Sequence, residues 1–225
     1  MLYDFHTHTF LSDGILSPME LIRRCIVGGY TAMGIADHAA AGTMQRVIEE
    51  LAGDARLAAE RWNFVCLVGV EITHAPASAI PELAARARKL GAELVVVHGE
   101  TIVEPVEPGT NLAAASCPHV DILAHPGLLT EQEAHLAAEN EVFIELSARQ
   151  GHCLSNGLVA QQALAAGGRL LVNSDGHAPG DYLTEESARE VATGAGIPET
   201  RMDEILRDNP EGVLRRSLAR GEVAR

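Results

Sequence analysis

Nine side chains between positions 6 and 177 could do chemistry together: His6, His8, Asp13, His38, Glu71, His98, His125, Asp175 and His177. They fall in short polar knots, Asp4-Phe5-His6-Thr7-His8, Leu11-Ser12-Asp13-Gly14, Asp37-His38, Gly69-Val70-Glu71, His98-Gly99, His125-Pro126-Gly127 and Asn173-Ser174-Asp175-Gly176-His177. A lone histidine of this kind ordinarily hydrogen-bonds or caps, Asp13-Gly14 alone reads as a turn, and Asp37 alone as a helix cap. As a set they offer imidazole nitrogen and carboxylate oxygen without thiolate. That donor mix suits Zn²⁺, Mn²⁺ or Fe²⁺ better than calcium or an iron–sulfur cluster. One ion cannot use nine ligands, so two to three divalent metal ions are implied.

Such residues must be brought to one place by regular elements. Seven runs rich in Val, Ile and Leu read as buried strands: residues 2–6, 32–36, 64–72, 94–98, 121–124, 142–146 and 170–173. On the first strand Asp4, His6 and His8, two apart, would share a face. Between the strands lie helical stretches at 18–27, 43–61, 81–90, 131–138 and 156–166. Ser17 is placed to cap the first, with Pro18 in its opening turn and Glu20 three residues after the cap. Met44, Val47, Ile48, Leu51 and Leu57 recur at helical spacing in the second, and Trp62 reads as core. Strand and helix alternate at roughly thirty-residue spacing, as in βα units with parallel strands. Every strand ends at or just before polar or ionisable residues. In a barrel of parallel strands those ends converge on one mouth, whereas an open sheet concentrates its site at one switch point. The expectation is an α/β fold, a distorted (β/α)7 barrel with the site at the C-terminal ends of the strands. Residues 1–225 read as one domain, helices from about 182 (184–193, 201–206 and 210–220) forming a last layer on the barrel.

The chain carries a net charge of −14, spread along its length. That surface repels phosphate backbones and anionic lipid, which argues against a nucleic-acid or membrane binder but not against a small anion held by metals. Cys25, Cys66, Cys117 and Cys153 form no CxxC and read as free thiols of a reducing compartment. No signal peptide precedes His6, and apolar runs such as 64–70 are too short to cross a bilayer. A soluble cytoplasmic protein is expected.

The ordered series Asp4-x-His6-x-His8, Ser12-Asp13-Gly14-x-x-x-Pro18, Ala36-Asp37-His38, Gly69-Val70-Glu71, His98, Ala124-His125-Pro126-Gly127 and Ser174-Asp175-x-His177 resembles the polymerase and histidinol phosphatase (PHP) superfamily. The resemblance implies a distorted (β/α)7 barrel with a trinuclear metal centre, every ligand position of which is filled here. By position, His6, His8, Glu71 and Asp175 would hold one ion. Glu71 would bridge to a second, completed by His98 and His125, and Asp13, His38 and His177 would hold a third. A hydroxide between two cations is acidified enough to attack phosphorus at neutral pH. The implied activity is hydrolysis of a small-molecule phosphate monoester, histidinol phosphate among the candidates, with Glu71 and Asp175 essential to it. A phosphodiesterase or 3′ exonuclease acting on nucleotides, a C–N hydrolase and a non-catalytic metal-binding module are the alternatives. The chain is short for a histidinol phosphatase of this family, so that enzyme's substrate loops are not assumed.

Around the core set, Arg149 lies just beyond the sixth strand, and its fork-shaped cation suits a phosphate. His152 and Asn156 either reach the substrate or feed a helix cap. His74 either faces the pocket or starts the Pro76 turn. Glu100, Thr101 and Glu104 follow His98 and would order its surroundings. His119 and His135 sit away from strand ends and read as surface residues.

Overall fold

In the computed structural model, which describes residues 1–223, the apolar runs form parallel strands. They are β1 (Leu2–Asp4), β2 (Tyr30–Ile35), β3 (Val65–Ile72), β4 (Leu94–His98), β5 (Ile122–Ala124), β6 (Phe143–Ser147) and β7 (Leu170–Asn173). They pair in sequence order. After a break at Ala36-Asp37, β2 resumes as His38–Ala39 in unchanged register: Ile35 lies opposite Val68 and His38 opposite Glu71. Between β7 and β1 the ladder gives way to one bridge, Thr7 to Gly176, with His8 N donating to Gly176 O at 2.9 Å. Two side chains do the rest: Asn173 Oδ1 accepts from Phe5 N at 2.9 Å and Asp4 Oδ1 from Ser174 N at 3.1 Å. The result is a seven-stranded barrel, nearly closed and distorted at this seam.

Two cores follow from the period-two alternation of strands. Tyr3, Phe5, Ala32, Ala36, Leu67, Leu94, Val96, Ile122, Ala124, Phe143 and Leu171 cluster as one core, the barrel's filling. Met33, Ile35, Val68, Val70, Val95, Val97, Leu123, Ile144 and Val172 belong to a second, shared with the helices. In four of the seven strands the inner series ends at an ionisable residue: Ala32-Gly34-Ala36-His38, Leu67-Gly69-Glu71, Leu94-Val96-His98 and Leu171-Asn173-Asp175. In these four, strand parity carries the same row of side chains from apolar filling to the mouth.

The helices are α1 (Pro18–Val27), α2 (Met44–Trp62), α3 (Ile80–Lys89), α4 (Thr110–Ala115), α5 (Glu131–Glu139), α6 (Asn156–Ala165), α7 (Glu185–Gly194) and α8 (Asn209–Val223). Ser17 Oγ accepts from Glu20 N at the start of α1, as its sequence predicts. Thr130 and Thr184 build capping boxes on α5 and α7. Three expectations change. Strand β1 stops at Asp4 rather than at residue 6, because the chain must turn to bring both histidines to the seam. Helix α2 keeps Leu57 and Trp62 outside, 45% and 41% exposed, with the Arg23 guanidinium 5.7 Å from the indole centroid, so Trp62 is not core. The helices predicted at 201–206 and 210–220 are continuous through a π turn at Glu204–Asp208, which passes Pro210 without a stop. Helix α4 was not expected; its short alanine-rich run carries too little periodicity to announce itself.

Candidate metal centre

Eight of the ten histidines, all but His119 and His135, gather at the mouth. His119 and His135 are exposed, as expected. His6 and His125, far apart in sequence, have ring centroids 5.6 Å apart, and His8 and His177 4.2 Å. Glu71 is the hub and is fully buried. Its Oε1 lies 3.3 Å from His6 Nε2 and 3.5 Å from His125 Nε2, and its Oε2 lies 2.7 Å from His38 Nδ1 and 3.7 Å from His8 Nε2. Asp175 is 3.2 Å from His8 Nε2 through Oδ1 and 3.6 Å from His125 Nε2 through Oδ2. Asp13 meets His177 Nε2 at 3.0 Å and His38 Nε2 at 3.4 Å. Donor atoms within 4.8 Å of one another form the groups His6–His8–Asp175, His6–Glu71–His125 and His8–Asp13–His38–His177. His98 falls in a different one, with His74 and Glu104.

Whether these residues fit metal ions is decided by lone pairs. His6 Nδ1 is 2.7 Å from Glu145 Oε2, and a carboxylate there accepts, so Nδ1 carries the hydrogen. A neutral His6 then turns a bare Nε2 toward Glu71. Among the described residues His6 Nε2, His8 Nε2, His177 Nε2 and Glu71 Oε1 are buried with no hydrogen-bond partner. Unpartnered buried acceptors facing one another are costly unless a positive centre joins them. Separations of 3.0–3.7 Å are near the edges of a shell whose bonds are about 2.0–2.2 Å. The donor set fits divalent metals.

Without a cation the cluster holds protons instead. Burial opposes charge at Glu71, but His6 and His38 outweigh it and hold the carboxyl well below its ordinary range. Burial likewise disfavours a charged His38, yet Glu71 and Asp13 raise it to about 10. His6 is raised well above the usual imidazole range, against its burial, by Glu145, Glu71 and Asp175. His8 is driven down to about 4, chiefly by burial.

Backbone detail shapes the mouth. His125 and Asp175 have φ of 26° and 51°, a left-handed conformation uncommon outside glycine and frequent at functional sites. A Cβ on Gly127, whose φ is +66°, would lie 1.9 Å from Glu100 O, and one on Gly99 2.3 Å from Ala124 O. Only glycine lets these loops cross so close to the ligands.

The other expected residues divide. Arg149 reaches the cluster: its guanidinium donates to Asp175 O at 3.1 Å and lies 2.7 Å from His177 Nδ1. A cleft of about 830 Å³ opens beside it, lined by Gln150, Ser174, Asp181 and Tyr182 among others. His152 is 4% exposed with its ring centroid 4.2 Å from that of His125. Asn156 exchanges hydrogen bonds with both backbone groups of Ser147, and Glu100 accepts from Gly109 N and Asn111 N, so both are loop staples. His74 faces the mouth, paired with Glu104 at 3.2 Å. Asp4 spends Oδ1 on the amides of His6 and Ser174 and joins no ligand group. Two residues were missed. Glu145, fully buried, orients His6; a carboxylate within the apolar run Val142-Phe143-Ile144-Glu145-Leu146 was the signal, since Glu is rarely buried unpaired. Asp37, also considered as a helix cap, accepts from Thr9 N, Thr9 Oγ1 and Ser12 Oγ and shapes the loop carrying Asp13.

No family model matches the chain. It is 43% identical over 96% of its length to an uncharacterized protein of Methanocaldococcus jannaschii, all of which is covered. It is 28% identical over 98% of its length to a probable phosphatase of Shewanella pealeana, 94% of which is covered. A DNA polymerase/3′-5′ exonuclease PolX of Bacillus subtilis is 28% identical over 77% of the chain, which spans only 34% of that protein. In fold it is similar to the histidinol phosphate phosphatase of Lactococcus lactis complexed with zinc, L-histidinol and phosphate, at 14% identity and a TM-score of 0.61, covering 88% of this chain and 94% of that one. With these relatives and a cluster of imidazoles and carboxylates at the mouth of a seven-stranded parallel barrel, the chain belongs to the PHP superfamily of metal-dependent phosphoesterases.

Proposed function

We propose that this protein hydrolyses a phosphate monoester of a small molecule, histidinol phosphate among the candidates, and that residues 1–225 act as one PHP unit in the cytoplasm. The observation that carries the reading is Glu71, a fully buried carboxylate facing His6, His8, His38 and His125 with one oxygen unpartnered. His6, His8, Glu71 and Asp175 would hold one ion, Glu71 and His125 with His98 nearby a second, and Asp13, His38 and His177 a third. Bound divalent ions would supply charge neutralisation for the phosphoryl oxygens and acidify a water. The protein's part is to position. Glu145 and Glu71 fix the His6 ring between them. Arg149, 33% exposed at the cluster's edge, offers its remaining donors to a phosphoryl oxygen. His152, buried beside His125 and grouped with His125 and Asp175, has its pKa lowered to about 4 by its burial and by His125, so it stands neutral at the edge of the cluster and offers a lone pair there. The relative named PolX supports a diesterase alternative, which the net charge of −14 disfavours for a polymeric substrate.

Phosphate release from an aryl monoester and an aryl diester, measured with chelator and after Mn²⁺ or Zn²⁺ add-back, tests this. The expected result is chelator-sensitive monoester cleavage restored by metal. Diester cleavage alone moves the assignment to the alternative, and no cleavage of either by metal-loaded protein ends the enzymatic reading. A screen of phosphorylated metabolites then identifies the substrate.

A further inference from the structure

At the end of the barrel opposite the mouth, arginines outnumber the carboxylates they face. Asp121, fully buried before β5, meets three guanidiniums: Arg88 from α3, with Arg216 and Arg220 from α8 at 3.1 and 2.5 Å. Arg169, just before β7, pairs with Glu141 at 3.0 Å. Its guanidinium carbon lies 5.7 Å from the centre of the Phe143 ring, and that of Arg216 lies 5.0 Å from the same ring. Four cations thus share two carboxylates in one patch. In a chain of net charge −14, that local surplus runs against the sign of the whole.

The surplus shows in hydrogen bonding and in charge. Each guanidinium carries five N–H donors, and one carboxylate cannot accept from three such groups in full. Arg88 spends its other nitrogens on the carbonyls of His119 and Ala92, and Arg216 donates to Glu141 O at 2.7 Å. Among the described residues Arg216 Nε is buried without an acceptor, and Arg220 bonds only Asp121, through one nitrogen. The Arg88 and Arg216 pKa values are lowered, first by burial and also by the neighbouring guanidiniums, in spite of Asp121. The carboxylates here are saturated; the cations are not.

We propose that this patch binds a small phosphate-class oxyanion carrying two or more negative charges, held by Arg216 and Arg220 with Arg169 at its edge. A guanidinium fork matches a pair of phosphoryl oxygens and keeps its charge at any working pH. The cations gather around one ring and one carboxylate instead of lining a stripe, which suits a compact ion better than an extended acidic chain. The Arg216, Arg220 and Arg169 side chains are 20%, 35% and 49% exposed, so an ion reaches them from solvent. Bound there, it ties α8 to the start of β7. The site lies away from the metal centre and does not depend on the proposed reaction.

NMR of the full chain, stripped of metal and dialysed free of chelator, tests this through the arginine Nε–Hε resonances during titration with inorganic phosphate and with pyrophosphate. Sodium chloride of matched ionic strength is the reference, and peaks are assigned by substitution. The Arg216 and Arg220 peaks are expected to shift saturably, more tightly with pyrophosphate, while Arg61 in the last turn of α2 stays still. Each arginine reports separately, so phosphate held at the mouth beside Arg149 does not count. Arg220→Gln, read at the Arg216 peak, should weaken the affinity by about tenfold or more. Arg169→Gln, at a more exposed position, gives the same readout should the first variant not fold. Arg216 and Arg220 peaks that move no further than in chloride overturn the proposal, as does an affinity unchanged in the variants. Tighter saturation by an oligoglutamate peptide than by pyrophosphate also overturns it, in favour of a protein partner.

Discussion

The two ends of the barrel bury carboxylates in opposite ways. At the amino ends of the strands Asp121, fully buried before β5, has every oxygen engaged. Its Oδ2 accepts from Val95 N at 2.9 Å and from Arg88, and its Oδ1 meets Arg220 at 2.5 Å and Arg216 at 3.1 Å. At the carboxyl ends Glu71, equally buried, faces imidazoles and keeps Oε1 without a hydrogen bond. A saturated buried charge ties elements together, here α3 and α8 to the barrel. A buried charge left open among bare nitrogens stores a binding site, and the barrel bears its cost. Burial and charge are alike at the two ends; only the partners separate structure from chemistry.

The comparison is broken most severely at Glu71. Glu71→Ala is expected to lower turnover by about 10³-fold or more and to leave the circular-dichroism spectrum native; wild-type rates would mean the open carboxylate does no chemistry. Asp121→Ala is expected to do the reverse. It strands Arg88 and should cost about 3–5 kcal/mol, a fall in melting temperature of about 10 °C, with metal content unchanged. A melting temperature within a degree of wild type would remove the structural role claimed for the saturated end. Glu145→Gln sharpens the contrast within the mouth. It keeps the side chain's shape but weakens the grip on His6 Nδ1, and should loosen metal binding by about 10–100-fold in a chelator competition.

The smallest expected effect is a pH dependence. In metal-free protein His38 has its pKa raised to about 10 by Glu71 and Asp13 against its burial. Its unfolded value is near 6.5, so the proton it gains on folding stabilises the native state fully below about pH 6.5, and that contribution drains away as pH climbs toward 10. Bound metal needs the neutral ring, so metal binding strengthens over the same range. The gap between the melting temperatures of loaded and stripped protein should therefore widen steadily from pH 6.5 to 9. A constant gap would show that protons and metal do not compete at the mouth.

Much of this was legible along the chain. Seven apolar runs, each ending on a polar knot, carried both the barrel and the direction in which it opens, because inward parity continues from Leu67 to Glu71 and from Leu94 to His98. Element boundaries moved by a residue or two, and Trp62 moved outside, since periodicity marks a helix's face but not how far the core reaches along it. Glu145 and Asp37 stayed hidden for a different reason. Each acts on a residue remote in sequence, Glu145 on His6 and Asp37 on Thr9 and Ser12, and spacing carries no trace of such pairs.

What the residues by themselves determined is the kind of chemistry and the end of the barrel where it gathers: imidazole and carboxylate donors without thiolate, set at the carboxyl ends of the strands, by inward parity for His38, Glu71, His98 and Asp175 and by turns of the chain for His6, His8 and His125. Tertiary structure alone decided which donors face one another. Parity aims a side chain inward but says nothing about its distance from a neighbour several strands away. That distance depends on how the seam between β1 and β7 closes and how the loops fold over, and it brings the buried His98 within 3.1 Å of Glu104 as well as beside the His125 ring.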